Sequence, residues 1–398
     1  MKRYLHFLQE EPVVRRLTLI QLIAYFGAWF SNVAIYTLLV DLGVSASIIA
    51  LVAALHFLPG VIQAPLTGVI IDKFHPKLLM FFLLLTEIIA TLLLLLVVDV
   101  TYLWLLFTVI IVRMSAASFY FTVEMSLLPK LLTAQKLQDA NTLHSMVWSV
   151  SYTAGMAISG FVVHWFGVYL AFAFDALLFM VALLLLWSLY IDVERKTTQH
   201  HFLQDLKDGI KYIKQKPVVG YIIILHAFVG LTAFDALVAL LAKYHFSRII
   251  AVPLAIGFIH AIRALALVVG PMVLAPIMSA RVLYYLLWFQ GLTIVIWALY
   301  IENFYYSLVM SFVVGLSTTT LWSYTYTLLQ NYTDKAYYGR VIAYNDMLFL
   351  FTSGMLSLGI GWMYDAGMSL LMITLLIGVG FILGAMYYSW LRKRYLDV

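Results

Sequence analysis

Long runs of apolar residues, cut by short polar punctuation, set the pattern of this chain. Stretches such as "LVAALHFLPGVIQAPLT" and "LLMFFLLLTEIIATLLLLLVV" exceed 15 residues with almost no charge. They lack the alternation of about ten residues that a membrane β-barrel strand shows. An apolar run of about 20 residues is what a helix needs to cross roughly 30 Å of hydrocarbon, and a helix satisfies its own backbone there. The pattern predicts twelve such helices, at 17–40, 46–70, 78–98, 102–128, 141–165, 168–191, 217–242, 252–278, 281–300, 304–330, 340–364 and 369–390. The fold class is therefore an all-α polytopic membrane protein.

One long polar segment interrupts the series, 192–216. Within it Phe202, Leu203, Leu206, Ile210 and Ile213 recur at helical spacing, with Lys207, Lys211 and Lys214 on another side. This predicts an amphipathic helix on an anionic leaflet. The chain divides accordingly into a first six-helix bundle (1–191), a cytoplasmic amphipathic linker (192–216) and a second six-helix bundle (217–398).

Composition agrees. Hydrophobic residues are 64% of the 398 and charged residues 11%, where a soluble domain carries about 25% charged residues. The chain has no cysteine, so it carries no disulfide frame and no thiol chemistry. The opening basic segment leads into a run too long for a signal-peptide core, and is expected to be an uncleaved first helix. The net charge of +5 is sorted by side rather than spread as a nucleic-acid surface. Of 24 Lys and Arg, Arg113 and Arg263 lie within spans. With the N-terminus cytoplasmic, Lys243 and Arg248 fall outside and the other 20 inside. That positive-inside bias predicts an even number of spans and both termini in the cytoplasm.

Charges inside the bilayer cost roughly 2.5–3.5 kcal/mol each and mark function by default. At about 1.5 Å per residue, Arg113 lies about 16 Å into span four and Glu87 about 14 Å into span three. Both are near midplane and equidistant from the turn near Val100, so they are expected to pair, and a charge exchange between them is expected to restore part of what each single change loses. Arg263 in span eight is a second midplane cation, with His260 one turn before it. Asp235 lies in the outer part of span seven and Asp346 in the cytoplasmic third of span eleven. Glu124, near the inner end of span four, is explained by snorkelling to water. His56 and His226 are close to midplane and expected to be packing residues. Proton coupling needs a carboxylate tuned by desolvation and a neighbouring cation; Asp235 and Glu87 fit best.

The loop "GVIIDKFHPK" between spans two and three resembles the signature of the major facilitator superfamily, with Gly68, Asp72, Lys73 and Lys77 matching and Pro76 replacing a basic position. "IIVRMSAAS", "LLPKLLTAQKLQDANTLHSMVWSVSYTAGMAISGF", "DLKDGIKYIKQKP" and "YGRVIAYND" resemble the branch of macrolide, drug and siderophore exporters, although the glycine–proline pair of the antiporter signature is absent. The resemblance implies two six-helix bundles, a bacterial inner-membrane location and spans one, four, seven and ten around a cavity. It also implies a latch on the cytoplasmic side, in which Asp72 faces the start of span eleven with Arg340 and Asp346 beside it. Tyr25, Trp29, Asn32 and Tyr36 share one face of span one; Arg113, Ala117, Tyr120 and Glu124 share one face of span four. Trp148 in span five, and Trp322 and Tyr326 in the hydroxyl-rich "STTTLWSYTYT" of span ten, complete the candidate cavity.

The expected function is a secondary active transporter, a proton-coupled antiporter exporting an amphipathic drug-like or siderophore-like molecule by alternating access. The alternative is a carrier of an anionic amphiphile such as a lysophospholipid or organic anion. No Walker glycine loop, Ser-centred elbow or metal-ligand spacing is present in the sequence, so no enzyme activity, metal, catalytic residue or cofactor is expected beyond the proton gradient. The expected partners are the small amphipathic substrate and membrane lipid, with no nucleic acid and a monomeric state.

Overall fold

A proline opens the first crossing. Pro12 sits in the first turn of a 30-residue helix, Pro12–Asp41, where its missing N–H costs nothing and its fixed φ suits the helix. A short helix, Lys2–Glu10, precedes it, a feature outside the expected spans. The computed structural model describes residues 2–63, 74–191 and 202–396.

Among the described residues, eleven helices are long and apolar enough to cross a membrane. Spans one to four are Pro12–Asp41, Ala46–Gln63, Pro76–Leu96 and Val100–Leu131, and Asp139–Trp187 follows. That last helix is 49 residues, about 74 Å at 1.5 Å per residue and far more than one crossing needs. It is broken at Gly167, whose φ of 80° and ψ of 169° are not helical. Only glycine takes up such a backbone without strain, so spans five and six lie on either side and the crossings number twelve. Spans seven to twelve are Pro217–Arg248, Val252–Ile277, Ala280–Leu299, Phe304–Tyr332, Lys335–Asp365 and Leu370–Tyr395. The all-α class stands, and the helix ends differ from the expected ones by a few residues.

The described residues of Met1–Leu42 and Leu66–His200 form one compact unit, and those of Gly43–Pro65 and His201–Val398 a second. In the first, span one lies along spans five and six. Ser159 Oγ donates to the Phe30 carbonyl at 2.6 Å, and Gly155 stands against the Phe26 carbonyl and Trp29. Small residues are what let helices approach when lipid supplies no hydrophobic drive between them. Spans one, three, four and six enclose an apolar core of Leu17, Ile20, Leu84, Ile88, Val123 and Phe179.

Chain order alone would assign span two to the first bundle, yet by contact it belongs to the second unit. Its small-residue face, Ala46, Ala50 and Ala54, packs on span eleven at Gly354 and Gly361, where a Cβ on Gly361 would overlap Ala50 and the Ala46 carbonyl. The end of span eleven then caps the start of span two. Asp365 accepts from the Ala46 N–H at 3.2 Å and from the Ser47 N–H at 2.8 Å, the placement a helix N-terminus favours for an anion. Lys243 at the end of span seven donates to the Val44 carbonyl beside it, and Tyr244 stacks on Tyr364 at 5.0 Å.

The linker helix Phe202–Gln215 docks one face on protein, beyond the leaflet contact its pattern predicts. Gly209 lies against Arg340 and Tyr344 of span eleven, and the Tyr344 hydroxyl donates to the Leu206 carbonyl at 2.9 Å. At its end Lys216 pairs with Asp334 at 3.1 Å, and this hydrogen bond holds the ammonium above the ordinary lysine range.

Candidate functional site

Span four is the axis of the first unit's polar interior. Arg113, on its inward face, is 1% exposed and holds two carboxylates. Its Nε donates to Glu87 Oε2 at 2.9 Å and its Nη2 to Asp175 Oδ2 at 2.9 Å. Charged hydrogen bonds of this length are the strong kind, and a buried cation needs them because desolvation of each ion costs several kcal/mol. The equal depth of Glu87 and Arg113 thus places them in contact.

Sequence reasoning missed Asp175 of span six. It is fully buried and also accepts from the Ser31 hydroxyl. Its Oδ1 packs where a Cβ on Gly27 would stand, so glycine at that point of span one makes room for the carboxylate. One signal was available, a lone aspartate within the apolar run "YLAFAFDALLFM"; depth alone could not say which span it would face.

Further along the same face of span four stands Glu124. It does not snorkel: it is 2% exposed, and its Oε2 accepts no hydrogen bond. Tyr120 and Tyr25, whose hydroxyls are also buried, lie in its electrostatic reach, and Gln21 stands beside the Tyr25 hydroxyl. Gln21 Nε2 meets His144 Nδ1 at 2.7 Å, and the His144 ring stands edge-on to Tyr25. Neither Gln21 nor His144 was singled out from sequence. Beside this cluster, Trp29 packs on Tyr152 at 4.3 Å and Trp148 at 5.6 Å, while Asn32 and Tyr36 are buried on span one.

In the second unit, span seven is broken. Helix Pro217–Ala227 gives way to a 3-10 turn, Phe228–Thr232, before helix Asp235–Tyr244 begins. Backbone groups freed inside a membrane must be satisfied by protein. Arg263 does this, its Nη2 donating to the Thr232 carbonyl at 2.6 Å while the guanidinium stacks over Phe234 at 5.1 Å. Asp235 opens the second half-helix with His260 Nε2 3.7 Å from its Oδ1.

The hydroxyls of span ten are largely committed to packing. Ser317 donates to Gln290 of span nine, and Thr325 meets His226 of span seven at 2.8 Å. Trp322 and Tyr326 stack at 4.9 Å with the His226 ring edge-on to both. Lys77 donates to the Trp187 carbonyl at 3.0 Å, Arg340 stacks over Tyr337 and Asp346 accepts from Asn345 at 3.2 Å. Gly68, Asp72 and Lys73 of the expected latch lie outside the described residues. Among the described residues no cluster of His, Asp and Glu fit to hold a metal is present.

Twelve apolar crossings with charges buried in their midst define a polytopic membrane protein built around intramembrane polar sites. Residues 17–355 match the Major Facilitator Superfamily, and the chain belongs to that family. Two curated relatives of Bacillus subtilis (strain 168) carry the description of MFS-type transporters. YfiS is 25% identical over 222 residues, 53% of this chain and 52% of its own length. YkuC is 24% identical over 219 residues, 52% and 51%. The chain thus spans about half the length of the curated relatives it matches. Solved structures align over nearly all of it. The POT family transporter PepTSo has a TM-score of 0.77 at 12% identity, covering 97% of this chain and 98% of its own. The nucleoside transporter NupG has 0.77 at 13%, covering 96% and 99%. A bacterial homologue of the human lysosomal transporter Spinster has 0.72 at 14%, covering 97% of each. At such identities these likenesses establish the fold.

Proposed function

We propose that this protein is a secondary active transporter that exports an amphipathic small molecule in exchange for protons, working by alternating access. The observation that carries the coupling is the buried Arg113 with its two acids, Glu87 and Asp175. Two carboxylates on one guanidinium form a group that can gain or lose a proton while its cation stays paired, which is what a coupling site requires. Family membership supports transport itself. For the cargo, each unit carries an aromatic cluster, Trp29–Trp148–Tyr152 in one and His226–Trp322–Tyr326 in the other. Such surfaces suit apolar molecules held by a few polar groups.

In this proposal the chain is a monomer of the bacterial inner membrane with both termini in the cytoplasm. Access to a midplane site alternates between the two sides of the membrane, with Asp72 acting as the cytoplasmic latch. The carrier of an anionic amphiphile remains as a second reading because Arg263 Nε is buried without a hydrogen bond; Arg113, by contrast, is already paired with two carboxylates.

Purified protein is screened for thermal stabilisation by drugs, siderophores and lysolipids, and the stabilising compound is then followed by counterflow in proteoliposomes. Trans-stimulated exchange that responds to an imposed proton gradient is expected. Absence of trans-stimulation overturns transport by alternating access, and indifference to the gradient overturns proton coupling.

A further inference from the structure

Glu124 is a buried acid that the Arg113 network does not use. It is 2% exposed, its Oε2 is unbonded, and no Lys or Arg among the described residues pairs with it. An isolated carboxylate removed from water costs several kcal/mol even after relaxation, so the neutral acid is the form this pocket accommodates. The groups around it are few. Tyr120 stands one turn earlier on its own helix, and Tyr25 faces it from span one. Beyond Tyr25 are Gln21 and, on span five, His144, whose Nε2 is also unbonded.

Beside the Arg113 network lies a cavity of about 20 Å³, whose lining includes Tyr25, Ala117, Tyr120, Phe179 and Glu87; Glu124 stands one turn beyond Tyr120 on the same helix. The cavity has room for one water molecule, and three of its lining residues can bond to it. Arg113, Ala117, Tyr120 and Glu124 recur on one face of span four, so the polar line covers about 16 Å at 1.5 Å per residue.

We propose that Glu124 is a proton-binding site, occupied in this conformation, and that its proton exchanges with Glu87 through the cavity lined by Tyr25 and Tyr120. In the exchange the O–H bond of the Glu124 carboxyl breaks and the proton passes by way of a cavity water and a tyrosine hydroxyl. A new O–H bond forms on Glu87, and Glu124 is ionised only transiently, until it takes up the next proton and returns to the neutral form this pocket accommodates. Glu87 then releases Arg113, which stays bound to Asp175, so one proton loosens span four from span three and not from span six. The proposal rests on the proton-coupled reading above and assigns that coupling to a residue outside the ion network.

The test is an infrared pH titration of the full chain in lipid nanodiscs, which needs no substrate. Wild type is expected to show a protonated-carboxyl C=O band at neutral pH that disappears on alkaline titration, and Glu124→Gln to lose that band. Glu124→Asp, which keeps the acid if the amide variant does not fold, is expected to shift it in frequency. Tyr25→Phe with Tyr120→Phe is expected to keep the band and slow its hydrogen–deuterium exchange. A neutral-pH band unchanged in Glu124→Gln, or absent from wild type, overturns the site; an unchanged exchange rate in the double tyrosine variant overturns the path. Failure of proton-driven counterflow with the band in place instead sinks the coupling reading and leaves the proton site standing.

Discussion

Removing the two carboxylates of Arg113 one at a time and then together separates a triad from a simple pair. Asp175→Asn and Glu87→Gln each keep shape and leave one ion pair. With charges about 4 Å apart and an effective dielectric of about 20, each guanidinium–carboxylate attraction is on the order of 4 kcal/mol. The two acids share one guanidinium, each at an N···O contact of 2.9 Å, and for charges about 5–6 Å apart the same scale gives a repulsion of roughly 3 kcal/mol. Either single substitution therefore loses one attraction and relieves one repulsion, a net cost of about 1 kcal/mol by this Coulomb arithmetic. The double substitution loses both attractions and relieves one repulsion, a cost of about 5 kcal/mol, because it leaves a buried cation alone. The excess over the sum of the singles is about 3 kcal/mol. Equilibrium unfolding in detergent, followed by the fluorescence of the 10 tryptophans, measures it. Additivity within about 0.5 kcal/mol would refute the triad. The same geometry limits the charge exchange between Glu87 and Arg113. A carboxylate at 113 would face Asp175, so recovery is expected to be small until Asp175→Asn is added.

Two further outcomes follow from contacts at the ends of the second unit's helices. Asp365→Ala removes the cap on the Ala46 and Ser47 amides; the loss is expected to be about 0.5–2 kcal/mol, with faster hydrogen exchange confined to the first turn of span two. At Lys216 the raised titration sets the sign of a pH effect. Its bond to Asp334 contributes fully below the ordinary lysine range and is lost as pH rises through the raised value. Both partners are exposed, so the contribution is under about 1 kcal/mol. Lys216→Met is therefore expected to lie slightly below wild type in melting temperature at neutral pH and to converge with it at alkaline pH.

What the linear sequence determined is what one-dimensional patterning encodes. A span must be about 20 apolar residues long whatever its neighbours, so the twelve crossings and the depths of Glu87 and Arg113 were legible. The family resemblance in the loop after span two and in span four was legible too, and it agrees with the match over residues 17–355. What the tertiary structure alone decided is lateral: which helix stands beside which, and how each is turned. Asp175 was visible as a charge but not as the second acid of Arg113, because span six reaches it only through packing against span one at Gly27. Glu124 is near a span end, where water is within reach by depth, yet packing beside Tyr25 of span one leaves it only 2% exposed. Arg263, legible as a midplane cation, proved to bond the Thr232 carbonyl freed by a break in span seven. Hydropathy fixes how far along the membrane normal a residue lies; its neighbours in the membrane plane follow from small-residue contacts between segments distant in sequence, and no spacing along one chain encodes those.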